Sequence, residues 1–312
     1  RAVLPLVCGA AQAVPASSFL FRFVMSERSD HHASSLWPVL ALVGAVSALA
    51  LGTSFAKRLF PLIGAQGTSA LRVGLSALVL LLVWRPWRWP LARADVRPLL
   101  LYGLSLGAMN VMFYMAIRSI PFGVAVAIEF TGPLAVAFYD SRRRLDYVWI
   151  ALVVLGLGLL LPLGGQVQAL DLRGVAWALG AATMWALYIL FGKRVSHLHA
   201  GHSVSLGMSA AALVAVPVGV AHAGVAALLQ PTVLLTGIVV GLVASTIPNS
   251  LEMYALKRLP RHTFGIMLSL EPAVAALAGV LVLHESLPPQ QWLAIACIMA
   301  ASIGSVWSRN RR

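Results

Sequence analysis

Three carboxylates stand where a carboxylate is expensive to keep. Of the ten acidic residues, Glu129, Glu252 and Glu271 lie inside long apolar stretches. An ionisable group in hydrocarbon costs on the order of 3 kcal/mol by insertion scales, so it faces a bundle interior or a wet cavity and marks a pathway for solutes or protons. Glu129 lies one helical turn before Pro133, and Glu271 directly precedes Pro272. Proline takes away a backbone donor and frees a carbonyl one turn earlier, which adds polarity at the same depth. Two readings stand for this pair: a polar pocket that binds a substrate ammonium or carries a proton, and a structural hydrogen bond between helices. Glu252 lies five residues before Lys257, where an interfacial ion pair competes with a functional role.

Other polar residues share those stretches. Asn110 and Asn249 are deep amides, and Ser245-Thr-Ile-Pro248-Asn-Ser250 is a polar, proline-broken run that reads as a hinge, a cavity wall or helix-packing glue. Arg72, a turn and a half into its stretch, either snorkels outward, pairs with a carboxylate or binds a substrate carboxylate; the first two fit its position better. Tyr102, Tyr114, Trp185, Tyr188, Thr131 and Ser245 are candidates to line a cavity, and Pro133, Pro248, Pro272, Glu252 and Arg72 to gate or support it. His197, His199 and His202 share one short segment, but no cysteine or carboxylate joins them there, so solvated loop histidines are favoured over a metal site. No Walker A, GxSxG or HExxH pattern occurs, which weighs against ATP-driven transport by this chain and the common hydrolase schemes. No cofactor is called for. An integral-membrane enzyme would need a group of catalytic residues at one interface, and neither Glu252 with its basic neighbours nor the histidine segment makes a persuasive one.

The elements that must position these residues are membrane helices. Hydrophobic residues make up 60% of the chain and charged residues 11%, with a mean hydropathy of +0.87, too apolar for a soluble domain of 312 residues. Ten solid apolar runs are read at 37–57, 67–84, 98–117, 121–139, 147–163, 174–192, 203–222, 233–254, 262–283 and 289–307. Each approaches the twenty or so residues that cross a hydrocarbon core of roughly 30 Å. Trp37, Trp84, Trp87, Trp149, Trp292 and Trp307 fall at their ends, where amphipathic rings prefer the interface. The net charge of +13 carries no basic run with interleaved aromatics, so membrane topology explains it better than nucleic acid. With both termini in the cytoplasm, sixteen Lys and Arg residues face inward and four (Lys57, Arg58, Arg118 and Arg173) face outward, as the positive-inside rule requires. Cys8 and Cys297 have no metal or disulfide spacing. Gly103-Leu-Ser-Leu-Gly107 and Gly237-Ile-Val-Val-Gly241 are close-packing devices.

The ten runs read as one five-run unit written twice. Phe55-Ala-Lys-Arg-Leu59 is matched by Phe191-Gly-Lys-Arg-Val195, Met115-Ala-Ile-Arg-Ser-Ile-Pro121 by Tyr254-Ala-Leu-Lys-Arg-Leu-Pro260, Pro133 by Pro272, and Trp149 by Trp292. Five is odd, so the copies (37–163 and 174–307) insert in opposite directions. Inverted repeats of this kind commonly place a substrate site at mid-membrane between the halves. A tail covers 1–36 and another 308–312. The segment 1–24 lacks the zones of a clear signal peptide and reads either as no part of the natural product, with Met25 as the start, or as a weak amphipathic leader.

Several segments carry a family likeness: Ser54-Phe-Ala-Lys-Arg-Leu-Phe-Pro-Leu62, Gly123-Val-Ala-Val-Ala-Ile-Glu-Phe-Thr-Gly-Pro-Leu-Ala-Val-Ala137, Ser250-Leu-Glu-Met253, and Leu259-Pro-Arg-His-Thr-Phe-Gly265 followed by Glu271-Pro-Ala. Over roughly residues 36–308 the chain resembles the EamA domains of the drug/metabolite transporter superfamily. The resemblance implies an all-α protein of the bacterial inner membrane that exports small polar amino acids, threonine and homoserine first, or else another metabolite or drug-like cation. It also implies a central cavity walled by runs 1, 3, 4, 6, 8 and 9, with runs 2, 5, 7 and 10 outside as support. Glu129, Asn110, Asn249 and Glu271 then fall on the walls and Arg72 does not. Alternating access coupled to a proton gradient is the expected mechanism, with Glu129 or Glu271 taking the proton.

Overall fold

Apolar helices fill the protein. A computed structural model describes residues 36–88, 90–139, 144–160, 170–259 and 261–309; the reading of residues 1–24 and Met25 lies outside them. The helices are α1 (Trp37–Lys57), α2 (Phe60–Trp84), α3 (Arg93–Ile117), α4 (Phe122–Glu129), α5 (Thr131–Tyr139), α6 (Arg144–Leu160), α7 (Leu172–Arg194), α8 (Ala200–Ala223), α9 (Val225–Leu228), α10 (Pro231–Gly241), α11 (Ile247–Arg258), α12 (Arg261–Leu268), α13 (Glu271–Leu283) and α14 (Pro289–Arg309). Five of them, beginning at Trp37, Phe60, Arg93, Leu172 and Gly201, are long and apolar enough to cross a membrane, and shorter apolar helices accompany them. Leu62, Leu82, Leu213, Leu235 and Leu281 are exposed on the outside of the bundle, a leucine surface that suits lipid. The chain is a multi-pass membrane protein.

The shorter helices are short because proline breaks them. Pro133 follows the joint between α4 and α5, and Pro272 opens α13 after α12 has ended at Leu268. Pro248 lies at the start of α11, directly after a π-helical turn, Leu242–Thr246, that joins it to α10. Each proline removes the amide that would bond to the carbonyl four residues earlier, at Glu129, Leu268 and Ala244 respectively.

The most extensive helix contacts all join the first half of the sequence to the second. Helix α2 packs along α8 and α10, α3 along α7 and α8, α6 along α14, α4 against α13, and α1 against α11 and α13. Small residues permit the closest approaches. A Cβ on Gly107 would meet the Ala211 carbonyl oxygen at 2.5 Å, and one on Gly103 the Gly207 oxygen at 2.4 Å, so the small-residue motif read from sequence presses α3 onto α8. A Cβ on Gly52 would meet the Ala244 nitrogen at 2.7 Å, which seats α1 on the π turn.

The second helix starts at Phe60, one turn and more before the 67–84 run read from sequence. Gly64, at φ +70°, kinks it without ending it, and this kink is what a joint looks like in sequence. Arg72 is therefore twelve residues from either end of α2, about 18 Å at the helical rise. Its guanidinium bonds to Ser245, Tyr114 and Ala244 inside the bundle and does not snorkel.

Gly107→Leu is expected to lower the melting temperature of the detergent-solubilised protein, at a cost of about 1–3 kcal/mol for overpacking. Gly158→Ala, where an added Cβ meets nothing within 4 Å, does not lower it. Equal melting of Gly107→Leu and wild type contradicts this packing.

Candidate functional site

The broken helices surround a cavity of about 200 Å³. Glu129 enters it from the end of α4, Glu271 from the first residue of α13 and Glu252 from α11, so the three carboxylates singled out by sequence share one space. Glu129 is only 7% exposed. It lies within electrostatic reach of Glu271 and Arg72, and Glu271 within reach of Glu252 and Arg72. The three residues whose carbonyls lose a helical donor to Pro133, Pro248 and Pro272, namely Glu129, Ala244 and Leu268, line the same cavity.

Arg72 lines it too, against the expectation that its helix stands outside the walls. Its Nε donates to Ser245 Oγ at 3.0 Å, one terminal nitrogen to Tyr114 Oη at 3.3 Å, and the other to the Ala244 carbonyl at 2.8 Å. The last bond supplies the donor that Pro248 cannot. Val73 of α2 and Met208 of α8 join the lining as well, so runs 2 and 7 contribute to the cavity and are more than outer support. Close packing of α3 on α8 and of α10 on α2 draws them in; the Ser76 hydroxyl donates to the Gly241 carbonyl across the second contact.

The remaining candidates divide. Asn110 lines the cavity, its amide tied to the Leu106 carbonyl at 2.9 Å. Trp185, Tyr188, Ser245 and Pro248 line it as well. Trp185 meets Phe130 edge-on at 5.5 Å. Tyr188 stacks on Tyr102 at 4.7 Å with their hydroxyls 3.1 Å apart, so Tyr102 backs the wall without forming it. Tyr114 and Thr131 are corrections. Tyr114 is fully buried behind Arg72, whose guanidinium carbon is 5.6 Å from its ring, and Thr131 spends its hydroxyl on the Ile128 carbonyl at the α4–α5 joint. Pro133 and Pro272 shape the breaks but do not line the cavity. The Asn249 side chain lies outside the described residues. Thr53, Phe113 and Phe122, which sequence did not single out, complete much of the wall; apolar and small residues on apolar helices give no signal of such a place.

The histidines separate. His197 faces Asp95 at 3.1 Å, His199 accepts from the Gly201 amide at the start of α8 and packs on Trp84, and His202 is 3% exposed within α8, so it is no solvated loop residue. Among the described residues no group of histidine, cysteine and carboxylate is placed to hold a metal.

Phe60, Tyr114, Phe113 and Phe122 form a chain of ring contacts at 5.9–6.2 Å. At Phe122 the chain meets an ion pair: the Lys57 ammonium donates to Glu285 Oε1, while Glu285 Oε2 accepts from the Phe122 amide at 2.8 Å. One carboxylate thus joins the end of α1, the start of α4 and the segment after α13. It also faces a recess of about 320 Å³ that holds Arg118 and Asp171.

Comparison with known proteins decides the family. The threonine/homoserine exporter RhtA of Escherichia coli (strain K12) is 49% identical over 268 residues, which is 86% of this chain and 90% of that protein. The chain belongs to the EamA-like transporter family. The family model itself matches residues 172–307. RhtA of Salmonella typhimurium (strain LT2) is 48% identical over 274 residues, covering 88% of this chain and 92% of that protein. The uncharacterized transporter YwfM of Bacillus subtilis (strain 168) is 28% identical, covering 75% and 81%. A solved crystal structure shares the fold at a TM-score of 0.53 and 18% identity, over 88% of this chain and 97% of that one. Membership makes this chain a transporter and not an enzyme.

The Lys57–Glu285 pair is 22% and 13% exposed at its two side chains. Lys57→Met and Glu285→Gln are each expected to lower the melting temperature, and the double variant to lose less than the two together, with a coupling on the order of 1 kcal/mol. Strict additivity contradicts the bridge.

Proposed function

We propose that this protein exports threonine and homoserine across the bacterial inner membrane, by alternating access and in exchange for protons. The observation that carries the reading is the small cavity with three carboxylates and one arginine on its wall, at the joints of broken helices. Its volume of about 200 Å³ is below the roughly 300–1,000 Å³ of sites for drug-sized ligands, and suits one small polar amino acid. The names of the close relatives support the substrate. Thr53, Asn110 and Tyr188 offer polar partners for a substrate hydroxyl.

Ten spans in two inverted repeats, with both termini in the cytoplasm, fit the charge bias of the loops. On that topology the Lys57–Glu285–Phe122 junction and the aromatic layer close the outer end, and export requires that they part. Proton exchange follows from the cost of empty sites. With the amino acid gone, Glu129 and Glu271 face each other without its ammonium, and taking a proton removes the charge that would oppose the return of the empty carrier. A drug-like cation is the second reading, because three carboxylates outnumber one arginine.

Liposomes holding the purified protein and labelled threonine are expected to release label faster than protein-free liposomes, and faster still when the outer medium is more acidic than the lumen. Glu129→Gln with Glu271→Gln should abolish the response to the pH gradient. Release no faster than from empty liposomes removes the substrate assignment, and indifference to the gradient in the wild type removes the coupling. A panel of organic cations that displaces threonine at equal concentration favours the second reading.

A further inference from the structure

We propose that Arg72 grips the α-carboxylate of the transported amino acid and thereby restricts transport to zwitterions, an assignment that rests on the amino-acid reading above and names the residue that sets its substrate class. The cavity carries opposite formal charges on its wall. Glu129, Glu252 and Glu271 are the acidic part and Arg72 the basic part. A zwitterion spans such a site with both charges compensated, whereas a simple cation leaves the arginine facing two or three carboxylates with nothing on its own side.

The state of the guanidinium supports the role. It has five N–H donors, and three are held, one each, by Ser245, Tyr114 and the Ala244 carbonyl. All three acceptors are neutral. Among the described residues no carboxylate lies within ion-pair distance of Arg72. The guanidinium is thus held by three bonds on the cavity wall with its charge uncompensated by direct contact, and one N–H remains on each terminal nitrogen. A planar fork with a donor free on each terminal nitrogen suits a carboxylate, which has two oxygens to offer them. An arginine placed only to cap Ala244 needs one N–H and no cavity; three neutral anchors fix the side chain before substrate arrives, which lowers the ordering cost of binding.

The test is competition against labelled threonine exchange in proteoliposomes. The competitors are unlabelled threonine, threonine amide, which keeps the ammonium and hydroxyl but lacks the charged carboxylate, and 3-hydroxybutyrate, which lacks the ammonium. In the wild type, threonine amide is expected to compete about tenfold or more weakly than threonine, the size of a lost hydrogen bond to a charged group. Arg72→Gln should raise the half-saturating threonine concentration by a similar factor while changing that of the amide little, and Arg72→Lys should recover part of the difference, since it restores charge without the fork. A purely structural arginine would weaken both ligands together. Equal competition by threonine and threonine amide in the wild type overturns the proposal without any variant. So does an Arg72→Gln protein that elutes and melts as wild type yet still prefers threonine. Wild-type protein that exchanges no threonine overturns this assignment and the proposed function together, whereas exchange without that preference overturns this assignment alone.

Discussion

The structure turns on backbone carbonyls that proline strips of their helical donors in the middle of an apolar bundle. An unpaired carbonyl at that depth costs several kcal/mol, and water or a side chain has to meet it. Pro133, Pro248 and Pro272 each free one, and the residues that own them, Glu129, Ala244 and Leu268, all line the same space. At Ala244 the solution is Arg72, which reaches from α2 across the helix contact. The guanidinium satisfies the backbone, the backbone and Ser245 hold the guanidinium, and a cation stands inside the bundle on the wall it shares with three carboxylates. Polarity is concentrated at one place, and the outer surface is left to leucine.

The same logic explains why the halves of the sequence interlock. A helix that carries a freed carbonyl or a carboxylate needs a polar partner, and in this protein the partner lies on the other half. Arg72 bonds to Ala244 and Ser245, and Lys57 and the amide of Phe122 meet Glu285. These contacts are few and directional, and such junctions can be exchanged for others more readily than a packed core can be reshaped. The small residues at α3 and α8 do the opposite work of fixing neighbours.

Much of this was legible in the sequence, for identifiable reasons. Apolar runs of twenty residues announce membrane helices without ambiguity, and an acidic residue inside such a run is conspicuous, so Glu129, Glu252 and Glu271 stood out. The prolines beside Glu129 and Glu271 pointed to the breaks. Arg72 was visible but misplaced. The kink at Gly64 looked like the edge of a helix, which put the arginine near an interface and made snorkelling reasonable. Tyr114 and Thr131 carried the right chemistry but face other tasks, one as a platform for Arg72 and one as a cap, and that depends on rotation about a helix axis, which a uniformly apolar helix does not encode. Phe113, Phe122 and Met208 gave no signal, because an apolar residue beside a cavity has the same composition as one beside lipid. Lys57 and Glu285 lie 228 residues apart, and only the fold brings them together.

The most direct measurement is an experimental structure of the protein in a lipid bilayer with threonine present. Density for one amino acid is expected in the cavity beside Ala244, with its carboxylate on Arg72 and its ammonium toward Glu129 and Glu271. Threonine bound elsewhere while Arg72 is paired to a protein carboxylate, or Glu129 and Glu271 turned toward acyl chains, would contradict a wet, charge-paired gap at the proline breaks.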